Sequence, residues 1–208
     1  MKSVTEAEVF SKYPTAYFKN ASTFGALTEE TISWLFAQGR IIQLDTHETL
    51  FETDEHGDNF FVILKGSFAY YKCHQGQYAF IRDYKMGEQV GFMSMIALHN
   101  RVGTAIANEE SLVLEISNNL FQDLYTHAPA DFGLLMMNLS REMARTLRAV
   151  DNLVVIKTLE ATGQIGLLHN IPAAHPTKTM MPASTARKPA LDDAVPQESS
   201  KHTDTLHN

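Results

Sequence analysis

The spacing of hydrophobic residues changes twice along the chain, and each change marks a boundary between structural elements. After Thr28 and two glutamates, apolar residues recur three and four positions apart, which predicts a short helix that ends near Gln38. The Thr28 hydroxyl is suited to cap its first turn, and Gly39 stands where a C-terminal cap is expected. Residues 1–26, with scattered aromatic anchors, are expected to form an irregular N-terminal arm.

Residues 40–116 have a strand-like pattern. Short segments rich in β-branched and aromatic residues alternate with turn clusters such as Lys65-Gly66. Many short strands joined by regular turns favour antiparallel pairing, because parallel strands would need crossover helices. The sequence therefore predicts a mainly β fold with flanking helices, built as an antiparallel β-roll of jelly-roll type. The predicted strands lie at about 41–44, 60–64, 67–71, 78–81, 104–107 and 112–116.

A long helix is predicted from Pro129 to residue 157, after a short helix at about 119–127. Its apolar residues are spaced alternately by four and three, which keeps one stripe facing one partner surface. This surface is either the β-roll of the same chain or the same helix of a second copy in a parallel homodimer. We expect a homodimer through residues 129–157. The stripe consists of Phe132, Met136, Leu139, Met143, Thr146, Val150 and Leu153.

After residue 157 the apolar periodicity fades, and Pro, Ser, Thr, His and Lys become frequent. Such a segment cannot bury enough apolar surface to offset the entropy of an ordered chain, so residues 158–208 are expected to form a mostly disordered tail. The predicted organisation is an arm (1–26), a β-roll with short flanking helices (27–128), a long dimerisation helix (129–157) and this tail.

Composition restricts the partners of the chain. The net charge of −7 provides no basic surface for phosphate contacts, so direct nucleic-acid binding is not expected. Cys73 is the only cysteine, which excludes an intrachain disulfide and does not indicate secretion. The sequence shows neither a signal-peptide core nor an apolar run of about 18 residues, so a cytoplasmic protein without membrane contact is the default expectation.

Motifs for catalysis and metal binding are not found. Cys73 and His74 are adjacent and would point to opposite faces of a strand, and the other histidines lack the spacing of a zinc site. Ser94 lacks the flanking glycines of a nucleophile elbow. No Walker-type or dinucleotide-binding glycine motif occurs. We therefore expect neither an enzyme nor a metal site.

Three stretches carry a family resemblance. Residues 49–66 (TLFETDEHGDNFFVILKG) contain a Gly-Asp pair and a closing glycine, residues 86–96 (MGEQVGFMSMI) lead into a short helix, and residues 100–105 (NRVGTA) supply an arginine. Together with the order of helix, roll, short helix and long helix, they resemble the cyclic-nucleotide-binding domain. The resemblance covers about residues 27–157. It is strongest to the sensory half of the bacterial catabolite-activator and anaerobic-regulator superfamily.

The resemblance implies a phosphate-binding cassette from Gly91 to Arg101 that faces a cavity. A buried phosphodiester needs a cation, here Arg101, and backbone N–H donors, here the short helix after Gly91. Nucleotide-binding members carry a glutamate after this glycine that accepts a hydrogen bond from the ribose 2′-hydroxyl. This sequence has Phe92 there, which cannot accept and would narrow the cavity, and Val102 and Gly103 also depart from the pattern. The expected ligand-binding residues are Gly91, Phe92, Met93, Arg101, Val102, Gly103, Thr104, Arg145 and Thr146.

Three functions remain open at this point. The first is a non-catalytic regulatory sensor that is dimeric, signals through protein partners and takes a cyclic nucleotide or cyclic dinucleotide as its ligand, with no cofactor required. The second is a ligand-free interaction scaffold with a degenerate pocket filled by Phe92. The third is a transcription regulator without a DNA-binding domain of its own, because the tail offers no helix-turn-helix pattern.

Overall fold

The computed structural model describes residues 1–162, and Met1–Leu159 form one compact unit. The prediction of a disordered tail without a DNA-binding domain falls, from residue 163 onward, outside the described residues. The elements follow in the order β1 (Lys2–Val4), α1 (Glu6–Phe10), α2 (Thr15–Phe18), α3 (Glu29–Gln38), β2 (Arg40–Leu44), β3 (Thr49–Phe51), β4 (Asn59–Lys65), β5 (Ser67–His74), β6 (Gln77–Lys85), β7 (Gln89–Val90), α4 (Phe92–Ile96), β8 (Thr104–Ala107), β9 (Ser111–Ser117), α5 (Asn118–His127) and α6 (Pro129–Thr162).

The strands form two antiparallel sheets. One sheet has the strand order β1-β2-β9-β4-β7, and the other has the order β3-β8-β5-β6. All the strand pairs are antiparallel. Side chains from both sheets meet in one buried cluster that fills the roll. The predicted fold class, an antiparallel β-roll with flanking helices, is confirmed.

The middle of the five-stranded sheet is buried on both faces, and this explains why the sequence of β4 is a continuous apolar run. Phe60 and Val62 point to a cluster shared with the helices, whereas Phe61 and Ile63 point into the roll. Successive side chains of a strand alternate between faces, so a strand covered on both faces has no polar positions in its middle.

The N-terminal arm is more ordered than the sequence predicted. β1 pairs with β2, with Lys2 opposite Gln43. α1 begins with a capping box in which the Glu8 amide donates to Thr5 Oγ1 (3.3 Å) and the Thr5 amide donates to Glu8 Oε2 (2.8 Å). The expectation of an irregular arm was wrong because helices of four and five residues are too short to show apolar periodicity.

The helix predicted between residues 28 and 38 is confirmed as α3. The Thr31 amide donates to Thr28 Oγ1 (3.2 Å), and Gly39 ends the helix with an extended rather than left-handed backbone (φ −81°). The Asp131 carboxylate, in the first turn of α6, accepts hydrogen bonds from Thr28 Oγ1 (2.6 Å) and the Thr28 amide (3.1 Å). These hydrogen bonds connect the start of α3 to the start of α6.

α6 runs to Thr162 rather than to residue 157, and its surroundings change midway. Leu135 and Leu139 are fully buried, and Asn138 donates to the Gly25 carbonyl oxygen (2.7 Å). The first half of the stripe therefore packs on its own chain. Further along, apolar side chains are between 46% and 62% exposed: Leu147, Val150, Leu153, Val154, Val155 and Ile156. None of the described helices is long and apolar enough to cross a membrane.

Candidate functional site

A cavity of about 170 Å³ lies between the β-roll and α6. β5, β6, α4 and α6 all contribute side chains to its wall. The register of β5 and β6 shifts between Tyr70 and Tyr71, and beside this bulge the consecutive residues Ile81 and Arg82 both line the cavity. Larger hollows occur elsewhere, one of about 280 Å³ beside the N-terminal arm, but none of them contains Gly91 or Arg101.

The two ends of the predicted cassette meet in the structure. Gly91 has a left-handed backbone (φ +93°) at the start of α4, and a Cβ atom there would lie 2.6 Å from Arg101 Nη1. Arg101 Nη1 donates to the Gly91 carbonyl oxygen (2.9 Å), and Nη2 donates to Asn59 Oδ1. Only glycine both adopts this backbone conformation without strain and leaves room for the guanidinium group.

Arg101 is a buried cation without a paired anion. It is only 2% exposed, and its guanidinium carbon lies 4.5 Å from the centre of the Phe51 ring. Within residues 1–161, its hydrogen-bond partners are neutral, and its Nε has none. Burial lowers the pKa of Arg101 from its ordinary value, and the nearby carboxylates of Asp58 and Glu55 oppose this shift. A buried charge is normally paired, so this guanidinium group would be stabilised by an anion that reached it.

Arg101 itself does not line the cavity, although Gly91 and Val102 do. The expectation of an arginine that faces the cavity is therefore not met in this conformation. The cause is local: the guanidinium group is turned toward Asn59 and the Gly91 carbonyl. An anion in the cavity would reach Arg101 only after a movement of this side chain or of the cassette.

Phe92 contributes to the cavity wall, but its ring lies in the helix-side core. It is fully buried and packs against Phe60 and Phe121, with ring centroids 5.4 Å and 6.0 Å away. The hypothesis that Phe92 fills the pocket needs correction, because its ring belongs to the core between the sheet and α5. What phenylalanine changes at this position, relative to the glutamate of nucleotide-binding members, is the loss of a hydrogen-bond acceptor.

The cavity is narrowed by two tyrosines rather than by Phe92. Neither tyrosine was predicted from the sequence. The rings of Tyr70 on β5 and Tyr84 on β6 both line it and meet edge to face, with centroids 5.8 Å apart. The Tyr70 ring reaches Gly103, where an added Cβ atom would lie 2.4 Å from its hydroxyl oxygen. Burial raises the pKa of Tyr70 to about 12, so the phenol is neutral at physiological pH. The absence of a side chain at Gly103 thus makes room for Tyr70.

An ion pair joins the roll to α6 at the cavity wall. Arg82 of β6 donates to Glu142 Oε1 of α6 (3.3 Å) and to Glu88, and its guanidinium carbon lies 4.3 Å from the centre of the Tyr84 ring. Burial works against the charge of Arg82, but its hydrogen bonds to these carboxylates outweigh burial and raise the pKa. Both Arg82 and Glu142 line the cavity, so the ion pair between the roll and α6 lies at its wall.

The remaining predicted residues are divided between the cavity and its surroundings. Met93 and Thr146 line the cavity. Arg145 does not; it is exposed and pairs with Glu142 (3.3 Å). Thr104 lines a different hollow, and its Oγ1 accepts a hydrogen bond from the Thr53 amide (3.1 Å). The structure therefore brings Gly91, Phe92, Met93, Val102 and Thr146 to one cavity and places Arg101, Gly103, Thr104 and Arg145 around it.

The cavity residues that the sequence analysis missed had a weak signal. Tyr70 and Lys72 are two positions apart on β5, as are Arg82 and Tyr84 on β6, and this spacing places each pair on one face of its strand. Among the described residues, no group of three or more His, Cys, Asp or Glu side chains is arranged to hold a metal ion.

Comparison with known structures supports the fold. A cyclic nucleotide-binding domain from Methylobacillus flagellatus KT superposes with a TM-score of 0.65 at 17% identity, covering 75% of this chain and 88% of that one. The catabolite activator protein of Thermus thermophilus gives a TM-score of 0.59 at 21% identity, covering 67% of this chain and 64% of that one. A guanosine-bound regulatory subunit of a cAMP-independent protein kinase A from Trypanosoma cruzi gives 0.54 at 14% identity, covering 65% and 47%.

A family model matches part of the sequence. No curated protein matches the chain. Residues 41–128, which run from β2 through α5 and contain both ends of the cassette, match the family model for the cyclic nucleotide-binding domain. Residues 41–128 therefore match the cyclic nucleotide-binding domain in sequence, and they have its β-roll fold.

Proposed function

We propose that this chain is a non-catalytic regulatory sensor, in which a small molecule binds the cavity between the β-roll and α6 and changes how α6 packs. The proposal rests on one observation: both the β-roll and α6 contribute residues to the cavity wall. Tyr70, Arg82 and Tyr84 come from the roll, whereas Glu142 and Thr146 come from α6. A ligand that touches both can have different affinities for two arrangements of α6, which is the physical requirement for signalling.

The response would pass along α6 to a partner. Beyond Thr146 the helix carries a row of exposed apolar residues, including Leu147 and Leu153. Such a surface on a helix with alternating spacing suits a second copy of the same helix. We propose a parallel homodimer through this half of α6, with the change in dimer geometry read by a protein partner.

A cyclic nucleotide or cyclic dinucleotide is the ligand class that the family suggests. Arg101 supports this class, because a buried guanidinium without an anion is suited to a phosphodiester. Phe92 counts against the ribose contact, and a volume of about 170 Å³ is below the roughly 300 Å³ at which small-molecule pockets usually begin. The guanosine-bound kinase subunit has the same fold and carries a ligand without phosphate.

Calorimetric titration and thermal unfolding with cyclic AMP, cyclic GMP and cyclic di-GMP test the nucleotide ligand. Binding should raise the unfolding temperature, and the rise should grow with the logarithm of the ligand concentration above Kd; Arg101→Ala should abolish the rise. Arg148→Ala removes an exposed arginine of α6 and serves as the matched control. If no nucleotide binds, the nucleotide version of the sensor is contradicted.

A ligand-free scaffold is the second candidate. The observation that favours it is the position of Tyr70 and Tyr84, whose rings narrow the cavity. In this case the exposed half of α6 would still recruit a partner, but no small molecule would change its geometry. A regulator that acts on transcription through another chain is a variant of either candidate. Capture of a DNA-binding partner would support that variant.

A further inference from the structure

The size of the cavity limits its ligand more strongly than the family does. At about 170 Å³, it is close to the roughly 150 Å³ of an engineered apolar protein cavity that binds benzene. A purine cyclic nucleotide contains a fused two-ring base, a ribose and a phosphate, and part of it would lie outside this space. A single six-membered ring with one small substituent matches it.

The wall of the cavity is suited to an aromatic ring. Apart from its charged groups it is dominated by aromatic and aliphatic side chains, among them Phe51, Val90 and Met143. Tyr70 and Tyr84 are held at 90° to each other, an arrangement that offers a ring face and a ring edge to a third aromatic group. Met143 adds a polarisable sulfur, which packs well against aromatic rings.

The charges of the wall favour an anionic substituent. Arg82 is engaged by Glu88 and Glu142. Lys72 lies two residues after Tyr70 on the same face of β5, and within residues 1–161 no carboxylate forms an ion pair with it. The unpaired positive charge at the cavity wall is therefore that of Lys72, with Arg101 buried behind the cassette.

We propose that the cavity binds a single-ring aromatic carboxylate, with the ring packed against the Tyr70–Tyr84 pair and Met143 and the carboxylate at the Lys72 ammonium group. This inference rests on the proposed sensor function and replaces the nucleotide by a smaller ligand. It assigns the ligand charge to Lys72, whereas a nucleotide phosphate would depend on Arg101.

Ligand-detected NMR and calorimetry with benzoate test the proposal, with benzamide as the uncharged ligand of the same size. Lys72→Met should weaken benzoate binding about twofold to fivefold, as expected for one exposed charge pair, and should leave benzamide binding unchanged. Arg148→Ala, which removes an exposed arginine outside the cavity wall, should leave benzoate binding unchanged. Equal weakening of both ligands by Lys72→Met would show that the lysine contributes packing only, which overturns the assignment of the charge.

A second variant tests the size limit. Tyr70→Val introduces a residue that also favours strands and enlarges the cavity, so 2-naphthoate should bind the variant at least about tenfold more tightly than it binds the wild-type chain, and benzoate more weakly. Thermal unfolding of the free variant establishes that it is folded.

The two proposals fail in different ways. If a nucleotide binds through Arg101 and benzoate does not bind, the sensor stands and the aromatic ligand is excluded. If neither class binds, the sensor and the aromatic ligand both fall, and the scaffold remains.

Discussion

Arg82 on β6 and Glu142 on α6 form an ion pair of 3.3 Å that joins the β-roll to the helix at the wall of the cavity. Both side chains are partly shielded from water, and Arg82 also bonds Glu88 of the roll while Glu142 also bonds Arg145 of the helix. The pair therefore connects two local networks. A ligand that displaces either side chain changes the attachment of α6 to the roll.

The strength of this connection can be measured with a double-mutant cycle. Arg82→Met and Glu142→Gln should each lower the free energy of unfolding by about 1 kcal/mol, since partly exposed ion pairs are worth about that much. The double variant should lose clearly less than the sum, because the two residues act on each other. Urea unfolding provides the measurement. Full additivity would show that the pair contributes no coupling.

Replacement of Arg101 should not lower the free energy of unfolding in the way that replacement of Arg82 does. Replacement of Arg101 by Met removes a buried, unpaired charge, so the free energy of unfolding should stay within about 1 kcal/mol of the wild type or increase. Arg82→Met, which removes a paired arginine, is the matched control in the same urea titration. A loss above about 3 kcal/mol for Arg101→Met would identify Arg101 as a structural residue rather than one kept for a ligand.

Gly91 should tolerate a side chain poorly. A methyl group there would lie 2.6 Å from Arg101 Nη1 on a backbone with φ +93°, whereas Gly76 has φ +77° with no atom within 4 Å of the same position. Gly76→Ala measures the conformational cost alone, about 1 kcal/mol. Gly91→Ala should cost at least about 1 kcal/mol more, because the guanidinium must also move. Equal losses in thermal unfolding would place Arg101 away from Gly91.

The contact between α3 and α6 should depend on pH. Burial alone would raise the pKa of Asp131, but its hydrogen bonds from Thr28 and Thr31 outweigh burial, and the pKa is lowered. A carboxyl group with a lowered pKa in the folded state stabilises the fold above its unfolded value, near pH 4, and this stabilisation is lost as the pH falls through the folded pKa.

Asp131→Asn removes this titration. The variant should be about 1 kcal/mol less stable at pH 7, and its stability should fall less steeply than that of the wild type below about pH 4. Unfolding titrations across pH 2 to 7, a range chosen around about pH 4, provide the comparison. Parallel curves for the two proteins would contradict the role given to Asp131.

The exposed half of α6 predicts the oligomeric state. Leu153→Glu places a charge in the row of exposed apolar residues and should convert a dimer into a monomer. Light scattering after size exclusion measures the mass, and Arg148→Glu is the control substitution on the same helix. A wild-type chain that remains monomeric at high concentration would contradict the proposed dimer.

The sequence predicted the fold well because its signals were local. The continuous apolar run of β4 and the alternating spacing of α6 each reflect the covering of a strand or a helix face. The site was predicted only in part. Gly91 and Arg101 were found because their motif is compact, but the direction of the Arg101 side chain depends on Asn59, which is 42 positions away.

Tyr70, Arg82 and Tyr84 illustrate what the sequence could not reveal. Each is an ordinary strand residue by pattern, and they converge only because β5 and β6 pair next to α6 with a shift in register. The same applies to Phe92. Its position in the motif suggested a ring that fills the pocket, whereas the ring packs against Phe60 and only borders the cavity.

Amide hydrogen exchange across residues 142–150 of α6 tests the central claim most directly, which is that occupation of the cavity changes the attachment of this helix to the roll. The rates are measured without ligand and at saturating cyclic AMP, cyclic di-GMP and benzoate in turn. The account predicts a change in protection of this segment with at least one of them, and the change should disappear in Glu142→Gln. Unchanged exchange with all three ligands would contradict it.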